Sequence, residues 1–462
     1  MHTQSARYWE GVNVMPEQNT MQEYLNTVAE QIRWKRARPV LMRELAQHME
    51  DQRDAFAAEG LAHAEELTVA EMGDPVSLGS ELDRVHRPKA QWGLLLFTAV
   101  FALTGTGLRI WLTAAWEHID PVRTLLAVLI GCGALVLAYF TDYSQLGHHA
   151  GKVYLGALLL GILVLLLSPR IFYASYYTRY VVLCFPVVYA IWLYACRRKG
   201  WLGLLFAILG GIPLSAICLL APHVFGLILL LLTGFVLLIA AAANDWFGIG
   251  KRKTVITAAS VALSMLTTVT VGILNSAYRL ERFDAAFHPE RDMLGMGYQA
   301  YTIRKALAVS QWLGEGNWSQ ANFGVSYETT VPNCVEDALL TTLIYRLGWL
   351  PFLVVVLALV ILIGWLLHRS LKQTSQLGRM VALSVVMTLS VQAVFSVMWN
   401  LGYTLYNAAF PLVTGNMNTI INMWLIGLAL SVFRGESIAR DPLSGETPLF
   451  PRYRIKITLQ KC

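Results

Sequence analysis

The stretch at residues 347–368, LGWLPFLVVVLALVILIGWLLH, decides the fold class because it contains no Asp, Glu, Lys or Arg. An apolar α-helix of about 20 residues is long enough to cross the ~30 Å hydrocarbon core of a bilayer, so this stretch predicts a transmembrane helix. Comparable runs occur at 92–112, 122–140, 153–168, 178–195, 201–220, 223–243, 254–275, 380–399 and 406–433. The sequence therefore predicts an all-α, polytopic membrane protein of about ten transmembrane helices.

The composition of the 462-residue chain agrees with a membrane protein. Hydrophobic residues make up 56% of the chain and charged residues only 14%, whereas soluble domains carry about 25% charged residues. This balance excludes a soluble enzyme, a disordered regulator and a nucleic-acid-binding protein, since each needs more polar surface. The six cysteines follow no CxxC spacing and are interpreted as small packing residues.

Basic residues in short loops predict which helix ends face the cytoplasm. They follow the fourth, sixth, eighth and tenth runs, as Arg197, Arg198, Lys199, Lys251, Arg252, Lys253, Arg369, Lys372, Arg379 and Arg434. This distribution predicts that both termini are cytoplasmic and that the long loop at 276–346 lies on the outer face. Arg109 and Arg123, near the outer ends of the first two runs, are expected to extend to the membrane interface. The alternative for both is contact with a lipid diphosphate.

The first 91 residues form a separate, acidic segment with ten basic and fifteen acidic residues. Apolar residues at helical spacing predict helices over 17–32 and 38–57, and Thr68 followed by Glu71 has the pattern of a capping box. With its Met72-Gly73-Asp74-Pro75 sequence, the segment resembles the small helical prefix domain (HAAS-like) of some bacterial permeases and sensors. That resemblance implies a cytoplasmic regulatory or docking module. The polar tail, 434–462, is expected to be disordered.

Two features of the long loop stand out. Residues 298–313 have helical spacing, which fits either a helix lying on the membrane surface or an ordinary surface helix. Glu336 and Asp337 directly precede the eighth run. Desolvation and a like-charged neighbour raise a carboxyl pKa, so this pair is a candidate general base. The alternative is a pair of acids that marks the start of a helix, where the dipole favours negative charge.

Pro332, Asp337 and Gly348 stand at spacings of five and eleven residues. They resemble the segment of the SEDS family of FtsW, RodA and SpoVE polymerases that runs from Pro-Glu-x-x-Thr-Asp to Glu-Glu-x-Gly. The other similar landmarks are Asp142-Tyr143, Gly297-Tyr298-Gln299, Ala306-Leu307, Gly314-Glu315-Gly316, Gln392, Asn400, Gly402, Pro411 and Gly415. The resemblance covers most of 92–434, which it identifies as a ten-span membrane domain.

The resemblance implies a peptidoglycan glycosyltransferase that polymerises lipid II at the outer face of the bacterial cytoplasmic membrane, in cell shape, division or sporulation. Asp337 would be the catalytic base, and a class B penicillin-binding protein would be the partner. No resident cofactor is expected, although a divalent metal would be compatible with the chemistry. The residues expected to bind substrate are Arg279, Arg282, Tyr298, Gln299, Arg304, Lys305, Gly314, Gly316, Pro332, Glu336, Asn400 and Pro411.

Departures from the family pattern keep other functions open. The family's glutamate after proline is Asn333 here, its threonine before the aspartate is Glu336, and its Glu-Glu pair is Tyr345-Arg346. One alternative is a non-catalytic relative that binds a lipid-linked precursor or a partner and regulates wall assembly. A third hypothesis, a transporter or flippase, would need substrate movement in proteoliposomes, and the runs show no acid–base pairs at mid-depth.

Overall fold

A computed structural model describes residues 21–34, 37–61, 63–87, 90–114, 120–171, 174–321, 323–334 and 336–435. Side chains at 171, 262, 265, 266, 268–270 and 272–274 are not described. The predicted tail therefore lies, from 436 onward, outside the described residues.

The described chain is almost entirely helical. Its helices are α1 Met21–Gln31, α2 Arg38–Ala58, α3 Ala64–Met72, α4 Pro75–His86, α5 Trp92–Thr113, α6 Pro121–Phe140, α7 Tyr143–His148, α8 Ala150–Leu167, α9 Thr178–Val181, α10 Phe185–Ala195, α11 Gly200–Leu209, α12 Gly211–Leu220, α13 Val224–Ala243, α14 Lys251–Leu274, α15 Ala277–Phe287, α16 Tyr298–Ala308, α17 Tyr327–Thr330, α18 Leu339–Leu347, α19 Trp349–Leu371, α20 Gln376–Asn400 and α21 Asn416–Arg434. Two short strands, β1 Arg170–Ile171 and β2 Ala174–Ser175, pair antiparallel.

The all-α membrane fold is confirmed. Within the part of the chain that the structure describes, nine helical stretches are long and apolar enough to cross a membrane. They are α5, α6, α8, α9 with α10, α11 with α12, α13, α19, α20 and α21. The predicted seventh span, 254–275, overlaps the 24-residue helix α14 in all but its last residue, and part of that helix's side chains lie outside the described residues. The protein is a multi-pass membrane protein.

The last span is shorter than predicted. Residues 406–415 are apolar enough to be counted with it, but the chain there turns and α21 begins only at Asn416. Leu412 and Gly415 have positive φ angles of 66° and 76°, which no α-helix contains. The segment between α20 and α21 lies beside the long loop, since Tyr403 contacts Phe287 and Arg304. We call this end of the bundle the loop end.

A buried amide pair connects the last two spans. Gln392 of α20 donates to Asn422 Oδ1 at 3.0 Å, and Asn422 Nδ2 donates back to Gln392 Oε1 at 3.2 Å. Both side chains are at most 1% exposed. Because unpaired amides are costly away from water, this reciprocal pair fixes the register of α21 against α20.

The described residues between 21 and 90 cluster as a compact unit separate from the unit that begins at 91. Helices α1 to α4 enclose a core that includes Tyr24, Val28, Leu41 and Met49. The capping-box prediction at Thr68 is wrong, because α3 begins four residues earlier at Ala64 and the Thr68 hydroxyl bonds to the Ala64 carbonyl within the helix. The N-cap in this region is instead Asp74, whose carboxylate accepts from Ser77 N at 2.8 Å and starts α4.

The long loop has its own apolar core. Ile303 and Ala306 of α16 are buried against Tyr327, Val331 and Tyr345. The apolar face of α16 thus packs on protein, and of the two interpretations of 298–313 the ordinary surface helix is correct. The helix also ends at Ala308, five residues earlier than predicted.

Candidate functional site

The turn that precedes α18 holds the candidate base. Asn333 has a left-handed φ of 50°, a conformation that asparagine tolerates better than most residues. Its carbonyl accepts from Glu336 N at 3.1 Å and from Ala338 N at 3.0 Å. Its side-chain amide donates to Asp337 Oδ2 at 3.0 Å. The half-buried Asp337 carboxylate is therefore oriented by a neighbour in its own turn and retains acceptor capacity for a further proton donor.

Asn400, at the end of α20, forms hydrogen bonds with the same turn and with the start of α18. Its Nδ2 donates to the Asp337 carbonyl at 3.1 Å and to the Ser396 carbonyl at 2.9 Å, while its Oδ1 accepts from Thr341 N at 2.9 Å. The Thr341 hydroxyl donates to the Asn400 carbonyl at 2.9 Å. Asn400 is 1% exposed. Its observed contacts are with the protein, so its predicted role in substrate binding is not visible in this geometry.

Arg109 of α5 is turned into the protein, so the expectation that it extends to the membrane interface is wrong. Its side chain is 4% exposed, its Nη1 donates to Asn416 Oδ1 at 2.9 Å, and its Nη2 lies 3.4 Å from Glu336 Oε1. These partners replace the water that the interface would have supplied. Arg123, by contrast, is 83% exposed and pairs with Asp120 at 3.2 Å, as an interfacial arginine would.

The Arg109–Glu336 pair is asymmetric, and this gives a stability prediction. The Glu336 side chain is 60% exposed, so removing Arg109 leaves a carboxylate that water can solvate. Removing Glu336 leaves a buried guanidinium without a counter-charge, which is costly. We expect Glu336→Ala to lower the free energy of unfolding by about 1–3 kcal/mol and Arg109→Met to change it by less. Thermal unfolding of both variants in one detergent measures the difference; a larger loss in Arg109→Met would contradict it.

A second ion cluster fastens the long loop to α18. Arg346 pairs with Glu328 at 2.7 Å and with Glu315 at 3.1 Å. Gly316 N donates to the Tyr345 carbonyl at 2.8 Å, and Gly314 N to the Leu347 carbonyl at 2.9 Å. A Cβ at Gly316 would lie 2.7 Å from the Val309 carbonyl oxygen, so only glycine fits. The two glycines expected to bind substrate thus serve the packing of this loop.

The Glu328–Arg346 contact predicts an acid-sensitive loop. Burial acts to raise the pKa of Glu328, but hydrogen bonds from backbone, Ser326 and Arg346 outweigh it and hold the pKa below its ordinary 4.5. A depressed pKa stabilises the folded state above the unfolded-state pKa, and this contribution is lost as the pH falls through the folded-state pKa. Wild type should therefore lose more stability than Glu328→Gln between about pH 5 and pH 3. Melting temperatures measured across this range test the prediction. The exposed Glu281→Gln variant is the control, and parallel curves for wild type and Glu328→Gln would refute the prediction.

Arg304 is engaged by the protein. It donates to the carbonyls of Ala286 and Phe287 at 2.8 and 3.1 Å, and its guanidinium lies 5.1 Å from the centre of the Tyr403 ring. Arg304 therefore holds the carboxyl end of α15 to the turn that follows α20.

The other three cations proposed for diphosphate binding lie on α15 and α16. Arg282 lies over the Tyr406 ring at 5.7 Å, Lys305 lies over Tyr301 at 5.5 Å, and Arg279 is exposed on α15. These contacts leave diphosphate binding a prediction for each of the three.

The remaining predicted residues surround the turn without meeting at one point. The Tyr298 hydroxyl donates to the Thr330 carbonyl at 2.9 Å, and Gln299 is half-buried beside it. Pro332 is half-buried just before Asn333, and Pro411 is buried in the turn before α21. Within the described residues, no three His, Cys, Asp or Glu side chains come together as a metal site would require.

Sequence reasoning missed several residues that meet at this site. Thr341 and Asn416 carry no signal beyond being polar. Asn333 was recognised only as a departure from the family pattern, and Arg109 only as a lone charge near a helix end. Together with Glu336, Asp337 and Asn400 they form what we call the Asp337 site, at the loop end of a multi-pass helical bundle.

Comparison with known proteins agrees with this architecture. A probable peptidoglycan glycosyltransferase FtsW from Trichlorobacter lovleyi is 23% identical over 389 residues, covering 77% of this chain and 96% of the relative. The FtsW of Idiomarina loihiensis is 24% identical over 385 residues, covering 75% and 88%. A solved chain from a study of "structural coordination of polymerization and crosslinking by a peptidoglycan synthase complex" has the same fold, with a TM-score of 0.58 and 20% identity over 75% of this chain and 98% of that one.

No family model matches the sequence. The similarity nevertheless extends over nearly the whole length of these two FtsW relatives, and the solved chain has the same fold. These comparisons confirm the resemblance to the SEDS family.

Proposed function

We propose that this protein is a peptidoglycan glycosyltransferase that polymerises lipid II, with Asp337 as its general base. The observation that carries the proposal is the position of Asp337. It lies at the loop end, half-buried, with its carboxylate oriented by Asn333 and its backbone fixed by Asn400. A carboxylate held in this way can accept a proton without moving.

The proposed reaction forms one glycosidic bond. An Asp337 carboxylate oxygen accepts the proton of the acceptor sugar's 4-hydroxyl as that oxygen attacks the anomeric carbon of the donor. The bond between the anomeric carbon and the diphosphate oxygen breaks, and undecaprenyl diphosphate leaves with its electron pair. Cations near the site would stabilise the developing charge on the diphosphate. The proposal includes no resident cofactor, and adding EDTA to the assay tests whether a divalent metal takes part.

Purified full-length protein and fluorescent lipid II test the function directly. Products separated by length on a gel should form a ladder of glycan strands. We propose a class B penicillin-binding protein as partner, supported by the synthase complex whose chain shares the fold. The assay is therefore run with and without such a protein. No polymer under either condition, in protein that still binds lipid II, would overturn the enzymatic function.

That outcome would instead support a non-catalytic relative that binds the lipid-linked precursor and regulates wall assembly. Two observations favour this second function. Arg304, a candidate for diphosphate binding, is occupied by backbone carbonyls, and Glu336 stands where the family has threonine and is paired with Arg109. Lipid II binding measured alongside polymerisation separates the two functions.

We also propose that the chain lies in the bacterial cytoplasmic membrane with both termini in the cytoplasm, so that the loop end faces outward. The basic residues between spans support this orientation, and lipid II polymerisation requires the site to be outside. The unit formed by α1 to α4 would then be a cytoplasmic docking or regulatory module.

A further inference from the structure

Helix α15 presents a large apolar face that the described part of the chain leaves largely uncovered. Leu280, Phe283 and Phe287 have the spacing i, i+3 and i+7, which places them on one side of the helix. Their exposed fractions are 42%, 48% and 39%. We infer that this face lies in the outer headgroup region of the bilayer, with the three side chains directed toward the acyl chains.

The buried side of α15 is the opposite one, and it is made of small residues. Ala285 and Ala286 are 6% and 1% exposed, and Ala285, about 200° around the helix from Phe283 at 3.6 residues per turn, projects away from it. A surface helix in water does the reverse, burying its large apolar residues and exposing its small or polar ones. The arrangement in α15 is the expected one if its outward side contacts lipid, because a helix lying on a membrane buries its apolar face between headgroups and acyl chains.

The position of α15 in the chain fixes its depth. Helix α14 has 24 residues, enough to cross a bilayer, and only Asn275 and Ser276 separate its last residue from α15. The amino end of α15 is therefore within two residues of the membrane boundary. The exposure of its apolar side chains also approaches that of apolar side chains on the span α19, where Leu353 is 48% and Leu357 58% exposed.

The charges beside the apolar face fit the headgroup region. Arg279 lies on one border of the face, where a guanidinium can reach lipid phosphates. Asp284, on the other border, is neutralised by Arg291 at 2.7 Å. The partner that these observations favour is thus the phospholipid surface of the outer leaflet rather than a second protein.

Contacts from α15 also reach the turn after α20. Phe287 lies against Tyr403 with ring centres 5.8 Å apart, and Arg304 ties the carboxyl end of α15 to the same turn. With α15 in the headgroup region, these contacts would hold Tyr403, three residues beyond Asn400, at a fixed distance from the bilayer. This inference concerns lipid binding alone and stands whether or not the protein is a polymerase.

The test uses the full-length protein in nanodiscs without lipid II. A cysteine at Phe283 is labelled with the environment-sensitive dye NBD, and Glu281→Cys, on the polar side of the same helix, is the matched control. Wild type treated identically gives the background from native cysteines. We expect NBD at 283 to emit at shorter wavelength than at 281, to be quenched by lipids brominated in their acyl chains, and to be shielded from aqueous iodide, as at a depth of about 5–10 Å.

Two results would overturn the inference. Equal iodide quenching at 283 and 281 would place the apolar face in water. Shielding of 283 from both iodide and brominated lipid would mean that protein covers it. Leu280→Cys is measured in parallel, so that a folding defect in one variant does not decide the outcome, and both labelled sites must agree for the inference to stand.

Discussion

Asp337→Asn is expected to reduce glycan synthesis from lipid II by about 10²–10⁴-fold, the usual contribution of a positioned general base. Asparagine has nearly the same shape and can still interact with Asn333, so the turn before α18 should keep its conformation. What it loses is the capacity to accept a proton from the acceptor hydroxyl at neutral pH. The initial rate of polymer formation, measured with lipid II at saturation, isolates this step from substrate binding.

The matched control is Asp292→Asn in the same loop. Asp292 Oδ2 accepts from Met296 N at 2.8 Å, and an asparagine oxygen can replace it, so this variant should polymerise at the wild-type rate. Lipid II binding and melting temperature are recorded for both variants. If Asp337→Asn is folded, binds lipid II and polymerises at the wild-type rate, Asp337 is not the base.

The spans could be predicted from the sequence because each one is specified by its own residues. A run such as 347–368 must satisfy its backbone internally in lipid, so its hydrophobicity alone predicts a helix. The prediction was wrong where an apolar segment does not form a helix. Residues 406–415 are apolar, yet Pro411 and the left-handed Leu412 belong to a turn that is buried by protein. Apolar residues fill such a turn for packing, and hydropathy does not distinguish this from a span.

The Asp337 site could be predicted only in part, for a related reason. Asp337 is adjacent to a span and its motif is local, so the sequence resemblance reached it. Arg109 and Asn416 are separated by 307 positions in the chain and meet only in the fold. Likewise, a helix on the membrane surface was predicted as one possibility for 298–313 and not for α15. Periodicity shows that a helix has an apolar face without showing what covers that face.

Asn400→Ala is expected to destabilise the protein by about 2–4 kcal/mol, since each buried polar group left unpaired costs about 1–3 kcal/mol. The substitution removes the partners of the Asp337 carbonyl and of Thr341 N in a site where Asn400 is 1% exposed. It should also reduce polymerisation beyond the loss of folded protein, because a shift of about 1 Å in a catalytic group can cost 10²-fold in rate. Thermal unfolding and the polymerisation rate per folded molecule measure the two effects separately.

Asn418→Ala is the matched control, since Asn418 is also a buried asparagine at the loop end but, among the described residues, its side chain makes one long hydrogen bond, 3.5 Å to the Thr414 carbonyl. It should cost less stability and leave the rate per folded molecule unchanged. A purely structural role for Asn400 would lower stability in both variants without changing that rate. If Asn400 positions Asp337, kcat must fall while lipid II binding is retained, because the carboxylate is displaced from the acceptor hydroxyl and the substrate is not. Equal rates per folded molecule in the two variants would therefore exclude Asn400 as a positioning residue and leave Asn333 as the side chain that orients the Asp337 carboxylate.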